Sequence, residues 1–160
     1  MVAIQFAKVR PDARIPQKRS EDAGYDLYAC FDEPYQLIAP HQTRLIPLGI
    51  ASAFPEDYVF VVKERGSTGV RGMAQRSGVI DSGFRGEWML PITNTGTEPL
   101  AIVKAGETAP EGAAAYPYEK AIAQALLLPV PQTEIQEMDY RALSEIPSKR
   151  GTGMLGSSGK

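Results

Sequence analysis

The chain holds a single cysteine, a single histidine and a single tryptophan in 160 residues. With Cys30 alone no internal disulfide can form, which suits a reducing compartment and makes a cytoplasmic protein the expectation. One histidine and one cysteine cannot assemble a structural zinc site from soft ligands. A Ser-His-Asp triad would have to use His41, which lies in the turn-like Pro40-His41-Gln42-Thr43, and no nucleophile-elbow motif is present. Excess basic charge is also lacking. Lys+Arg is 17 against 19 Asp+Glu, a net charge of −2, which argues against a duplex nucleic-acid binder, since that would need a basic face. A site for one small anion is not excluded. No apolar run approaches the roughly 20 residues that span a bilayer. Met1-Val2-Ala3-Ile4-Gln5 has no basic region leading into an apolar stretch, so no secretory leader is expected.

What the chain does have is turn residues and short apolar runs. Hydrophobic residues make up 43%, enough for a core, and 15 Gly and 13 Pro punctuate them. Strands are expected at Val2–Val9, Gln36–Ile38, Arg44–Ile50, Tyr58–Lys63, Glu87–Thr93, Leu100–Val103, Ile122–Val130 and Thr133–Gln136. One short helix is expected at Asp139–Glu145, stopped by Pro147. Many short strands between Gly/Pro turns mean an all-β sandwich or barrel. The length is that of one domain. Ala105–Tyr118 is rich in Ala, Gly and Pro, lacks a strand period and reads as a long loop. Lys149–Lys160 reads either as a frayed Gly/Ser terminus or as a glycine-rich flap that closes over an anion.

Three stretches can carry chemistry. Glu64-Arg65-Gly66-Ser67-Thr68-Gly69 follows a strand. It is a phosphate cradle or a plain turn, and it departs from the Walker pattern because no Lys-Ser/Thr and no helix follow the last glycine. Gly78–Glu87 reads as a β-hairpin in which Asp81 is a general base for water or an Asx-turn residue. In Ala23–Ala29 the carboxylate of Asp26 sits among apolar strand residues, so it needs a cation, functional or structural. Trp88 is expected to be core.

Taken in order, these pieces resemble the trimeric dUTPase family. Its five motifs correspond here to Ala23–Ala29 (AGYDLYA), Arg65–Gly69, Gly78–Glu87 (GVIDSGFRGE), Ile122-Ala123-Gln124 and Arg150–Gly159. The resemblance runs from Val2 to Lys160. It implies a jelly-roll-like β subunit, residues 1–148 with an insertion near 105–118, and a tail, 149–160, that closes over the site. It implies a homotrimer with active sites shared between subunits. The implied reaction is dUTP plus water giving dUMP and pyrophosphate, which limits uracil in DNA and supplies dUMP for dTMP synthesis.

The resemblance also implies roles. Gly78, Val79 and Ile80 would receive uracil and deoxyribose, and their backbone would read the uracil edge. Phe84, where the family has Tyr, would pack on the sugar and exclude a 2′-OH; Met89 would touch the nucleotide. Asp81 would activate the water for in-line attack on the α-phosphorus. Mg²⁺ would be held mainly by phosphates, with Asp26 reaching it through water. Arg65, Gly66, Ser67 and Gln124 would hold the phosphates, and Arg150 would pair with the γ-phosphate with help from Gly156, Ser157 and Ser158.

Four departures accompany it. Gly66 replaces a Ser, Leu155 replaces the Phe that stacks on uracil, Gln75 lies near a usual Asn, and the Lys-Gly-Asp-Arg before the fourth motif is interrupted by the 105–118 segment. Ile80–Phe84 also resembles the dCTP deaminases, but the position of their glutamate base is Pro91, which disfavours deamination. A third reading, a nucleotide-dependent regulator, would use the 105–118 segment as a contact for a protein partner.

Overall fold

The structure, a computed structural model, describes residues 1–153. In chain order the elements are β1 (Gln5–Lys8), β2 (Gly24–Leu27), β3 (Tyr35–Ile38), β4 (Thr43–Pro47), β5 (Ile50–Ala53), β6 (Tyr58–Lys63), α1 (Gly66–Gly69), β7 (Met73–Gln75), β8 (Val79–Asp81), β9 (Met89–Asn94), β10 (Leu100–Val103), β11 (Ala114–Pro117), β12 (Ala123–Pro129) and α2 (Tyr140–Glu145). Among the described residues the strands form four small sheets, ordered β1-β5, β11-β10-β3, β2-β12-β6-β8 and β4-β9-β7. This is the expected all-β, jelly-roll-like subunit.

The core is aromatic at its centre. Phe60 of β6 meets Phe6, Tyr25, Phe54 and Trp88 with ring centroids 5.0–5.9 Å apart, mostly edge to face. Trp88 is fully buried, as expected, and its indole N–H donates to Ser52 Oγ at 3.1 Å, so the one polar atom of the ring is satisfied.

Several expectations change. Arg44–Ile50 is two strands, not one. The break is Gly49, at φ +67°, where a Cβ would lie 2.8 Å from Cys30 Sγ and 2.9 Å from Ala13 Cβ. Its carbonyl accepts from the Val9 and Arg10 amides, and its own amide donates to Glu87 Oε1. Thr133–Gln136 is not a strand; it lies in an exposed run outside the sheets. Gly78–Glu87 is not a hairpin. β8 pairs with β6, the chain turns at Asp81–Phe84, and the next strand, β9, joins a different sheet. The 105–118 segment is not all loop: β11 adds to β10 in parallel, with Ile102 opposite Tyr116.

β9 is the central strand of its sheet although it contains Pro91. The Pro91 carbonyl accepts from Arg76 N at 2.9 Å, so its missing donor faces the Arg76 carbonyl just past the end of β7, and that carbonyl accepts from the Gln75 side-chain amide at 3.0 Å instead. α2 begins at its expected cap, with Asp139 Oδ1 accepting from the Arg141 amide at 2.9 Å. From 131 to 153 every described residue is exposed, including Ile135 at 95% and Tyr140 at 73%.

Candidate active site

The four-stranded sheet carries most of the chemistry. β12 lies between β2 and β6, and Gln124 stands opposite Asp26 on one side and Lys63 on the other. Opposed residues share a face of the sheet, so the Asp26 and Gln124 side chains emerge together. Gly24 makes this possible: a Cβ there would run into the Gln124 side chain. β6 then runs out into Glu64 and Arg65, and the Gln124 amide donates to the Glu64 carbonyl at 2.8 Å.

Arg65 turns back over this face. Its Nε meets Asp26 Oδ1 at 2.9 Å, and Nη1 reaches the Ala121 carbonyl at 3.5 Å. The carboxylate that the sequence places among apolar neighbours therefore has its cation. Immediately after Arg65 the chain makes the single helical turn α1 in place of a plain β-turn, and after Gly69 comes β7, with no helix following the last glycine. Thr68 is buried and clamps the turn: its hydroxyl accepts from the Arg65 amide at 3.0 Å and donates to the Arg65 carbonyl at 3.1 Å. The first amides of such a turn, those of Gly66 and Ser67, have no acceptor within the helix. Gly66 has nothing within 4 Å of its Cβ direction, so its backbone is open to a ligand.

Asp26, Arg65 and Gln124 line one cavity of about 660 Å³, together with Gln17, Lys18, Arg19, Glu21, Asp22 and Tyr28. The loop at 17–22 is missed by sequence reasoning. It is fixed to the site by the Asp26 amide, which donates to the Gln17 carbonyl at 2.9 Å. Within the loop Arg19 is closed on Asp22 at 2.8 Å, which holds the Asp22 carboxyl below the usual range. Lys18 instead donates to the Asp22 carbonyl at 2.7 Å. The signal in the sequence is the adjacent pair Lys18-Arg19 just ahead of the first motif.

The third motif is elsewhere. Gly78, at φ +135°, lies so close to β6 that a Cβ would sit 3.0 Å from the Val62 carbonyl, and its own carbonyl accepts from Val62 N at 2.8 Å. From there β8 runs back along β6, so Asp81 faces Val59. Six residue steps of extended chain lead from Val59 to Arg65, about 20 Å along the strand. Within one chain Asp81 and Arg65 are thus at opposite ends. Val79 and Phe84 are exposed, at 65% and 43%, and Ile80 is half-buried; the Phe84 ring lies over Gly86, where a Cβ would be 2.6 Å away. Met89 opens β9, half-buried opposite Pro47. Gln75 ends β7; its amide donates to Glu64 Oε1 at 2.7 Å, while its side-chain carbonyl is buried without a partner. Its own amide and that of Gln75 hold the Glu64 carboxyl below the usual range. Arg150 lies in the exposed C-terminal run, and Leu155, Gly156, Ser157 and Ser158 fall outside the described residues.

The architecture defines a class: a jelly-roll β subunit that presents an arginine and open amides, suited to phosphates, beside a carboxylate. The comparisons with known proteins agree. The family model for dUTPase matches residues 12–109. The deoxyuridine 5′-triphosphate nucleotidohydrolase of Gloeobacter violaceus is 35% identical over 141 residues, covering 86% of this chain and 83% of the relative. That of Leptospira interrogans is 36% identical over 103 residues, 62% of this chain and 70% of the relative. Among solved structures, the Staphylococcus bacteriophage 80alpha dUTPase with dUPNHPP superposes with a TM-score of 0.77 at 22% identity, covering 99% of both chains. The EIAV dUTPase gives 0.63 at 25%, covering 88% of this chain and 98% of that one. The chain belongs to the dUTPase family of nucleotide-hydrolysing enzymes.

Proposed function

We propose that the chain hydrolyses dUTP to dUMP and pyrophosphate as a homotrimer. The observation that carries the reading is the cavity in which Asp26, Arg65 and Gln124 converge beside the open amides of α1. Arg65 and the amides and hydroxyl of Gly66–Ser67 bind phosphate oxygens, and Gln124 holds Arg65's strand end in place. Asp26, on the same cavity, suits a hard cation that keeps its waters and is held mainly by the phosphates, since no group of three carboxylate, His or Cys ligands comes together among the described residues. Mg²⁺, when bound with the nucleotide, would supply charge neutralisation on the phosphates.

Asp81 takes a proton from the attacking water. Reacting atoms must approach to about 3–3.5 Å. With about 20 Å of strand between Val59 and Arg65, the Asp81 that serves a nucleotide on Arg65 comes from a neighbouring copy. That copy offers the exposed Val79 and Phe84 as the apolar bed for uracil and deoxyribose. The exposed apolar side chains Ile135, Met138, Leu143 and Ile146 support a third contribution, an arm that lies on another subunit and brings Arg150 and the tail to the phosphates.

The test is product identification with dUTP, UTP, dTTP and dCTP, with and without Mg²⁺. Release of dUMP and pyrophosphate from dUTP alone, dependent on the metal, is expected. Equal turnover of all four nucleotides, or ammonia from dCTP, overturns the reading.

A further inference from the structure

The segment 105–118 precedes the intact fourth motif, and its fold ties it to the phosphate turn. β11 places Tyr116 opposite Ile102, buried to 2% exposure. The Tyr116 hydroxyl donates to the Ala121 carbonyl at 2.7 Å, and the same carbonyl faces Arg65 Nη1 at 3.5 Å. The Arg71 guanidinium, just past α1, stands 5.8 Å from the ring centroid. The inserted strand thus touches the elements on both sides of Arg65-Gly66-Ser67.

A single carbonyl with two candidate donors is decided by geometry. At 2.7 Å the Tyr116 contact is a short O–H···O bond, whereas 3.5 Å is long for an N–H···O bond. Tyr116 therefore satisfies Ala121, and Arg65 Nη1 is only loosely held. Its Nε is fixed by Asp26, which leaves the Nη edge for an incoming phosphate. Without the hydroxyl, Ala121 would be a buried acceptor lacking its main donor, and Arg65 is the group within reach to satisfy it.

We propose that Tyr116 is a positioning residue: by occupying the Ala121 carbonyl it keeps the Arg65 guanidinium available to the nucleotide's phosphates. The insertion is then a built part of the phosphate site. This rests on the function proposed above and deepens it.

Tyr116→Phe removes only the hydroxyl and keeps the buried ring. Its KM for dUTP should rise about three- to tenfold, the scale of one hydrogen bond, with kcat changed less. Binding of tripolyphosphate to the full-length protein, measured by calorimetry, should weaken by the same factor. In an Arg65→Gln background the further loss from Tyr116→Phe should disappear, because the two act as one unit. A merely structural tyrosine would cost the same in both backgrounds. If wild type turns over dUTP and binds tripolyphosphate but Tyr116→Phe matches it, or if the losses simply add, the proposal is overturned. If wild type does neither, the functional reading falls and this one with it.

Discussion

Asp26 and Arg65 neutralise each other across the strand end, Oδ1 to Nε at 2.9 Å. Both side chains are about a third exposed, 35% and 34%, so the pair is a partly solvated one. Such pairs contribute about 0–1 kcal/mol to stability. Under the proposed function a phosphate chain would displace this pair at small cost, Arg65 turning to the phosphates and Asp26 being left to hold a hydrated cation.

Arg65→Gln should therefore melt within a few degrees of wild type while kcat/KM for dUTP falls about 10–100-fold, the range of a lost charge-assisted contact. Melting and steady-state kinetics on one preparation check this. A large loss of melting temperature with activity retained would make the pair structural.

Asp81→Asn should retain nucleotide binding and lose turnover, since Asn keeps the turn but takes no proton. Mixed with Arg65→Gln during refolding at equal amounts, it should recover about a quarter of the wild-type rate. A site that needs Asp81 from one chain and Arg65 from another is intact in about that share of random mixtures. No recovery, from trimers shown by mass to be mixed, would place both residues in one chain's site.

Arg85 closes the turn that aims Asp81. Its Nη1 donates to the carbonyls of Ser82, Phe84 at 3.1 Å and Ser52 at 3.3 Å. Arg85→Met should lower kcat about tenfold while tripolyphosphate binding, at Arg65, stays unchanged. Equal loss of both would show general unfolding instead.

Alkali should destabilise the fold. Burial, the leading cause in each case, pushes up the ionisation of Cys30, Tyr116 and Tyr118. The native state then holds protons that the unfolded chain has released. This contribution is intact below the unfolded thiol value of about 8.5 and phenol value of about 10, and is lost as pH rises through the folded values. The melting temperature should drop from about pH 8.5 upward, and Cys30→Ala should flatten the first part of the drop. A flat wild-type profile to about pH 10.5 overturns this.

β6, β10 and α2 were legible in the sequence because each has local causes: β-branched and aromatic runs in the strands, Asp139 and Pro147 around the helix. β11 was not. Ala114-Ala115-Tyr116-Pro117 has no strand preference of its own, and its extended form is imposed by parallel pairing to β10. The five motifs pointed to Asp26, Arg65 and Gln124, and the fold does bring these together. Lys18 and Tyr116 went unseen because neither lies in a motif; strand register and a loop anchored on Gln17 carry them there. The break at Gly49 was also hidden, since its positive φ and the close packing of Cys30 and Ala13, which together favour glycine there, arise only in the fold.

Gly24 and Gln124 lie a hundred positions apart, yet the Gln124 side chain occupies the space that a side chain at 24 would need. Their inheritance is joined. A methyl group at 24 would push the Gln124 amide aside, and a displaced or shortened 124 gives up its hold on the Glu64 carbonyl. Either change therefore loosens the same hydrogen bond, which ties the two positions to one contact. Among descendants of this sequence, the first and fourth motifs are expected to change together or stay as they are.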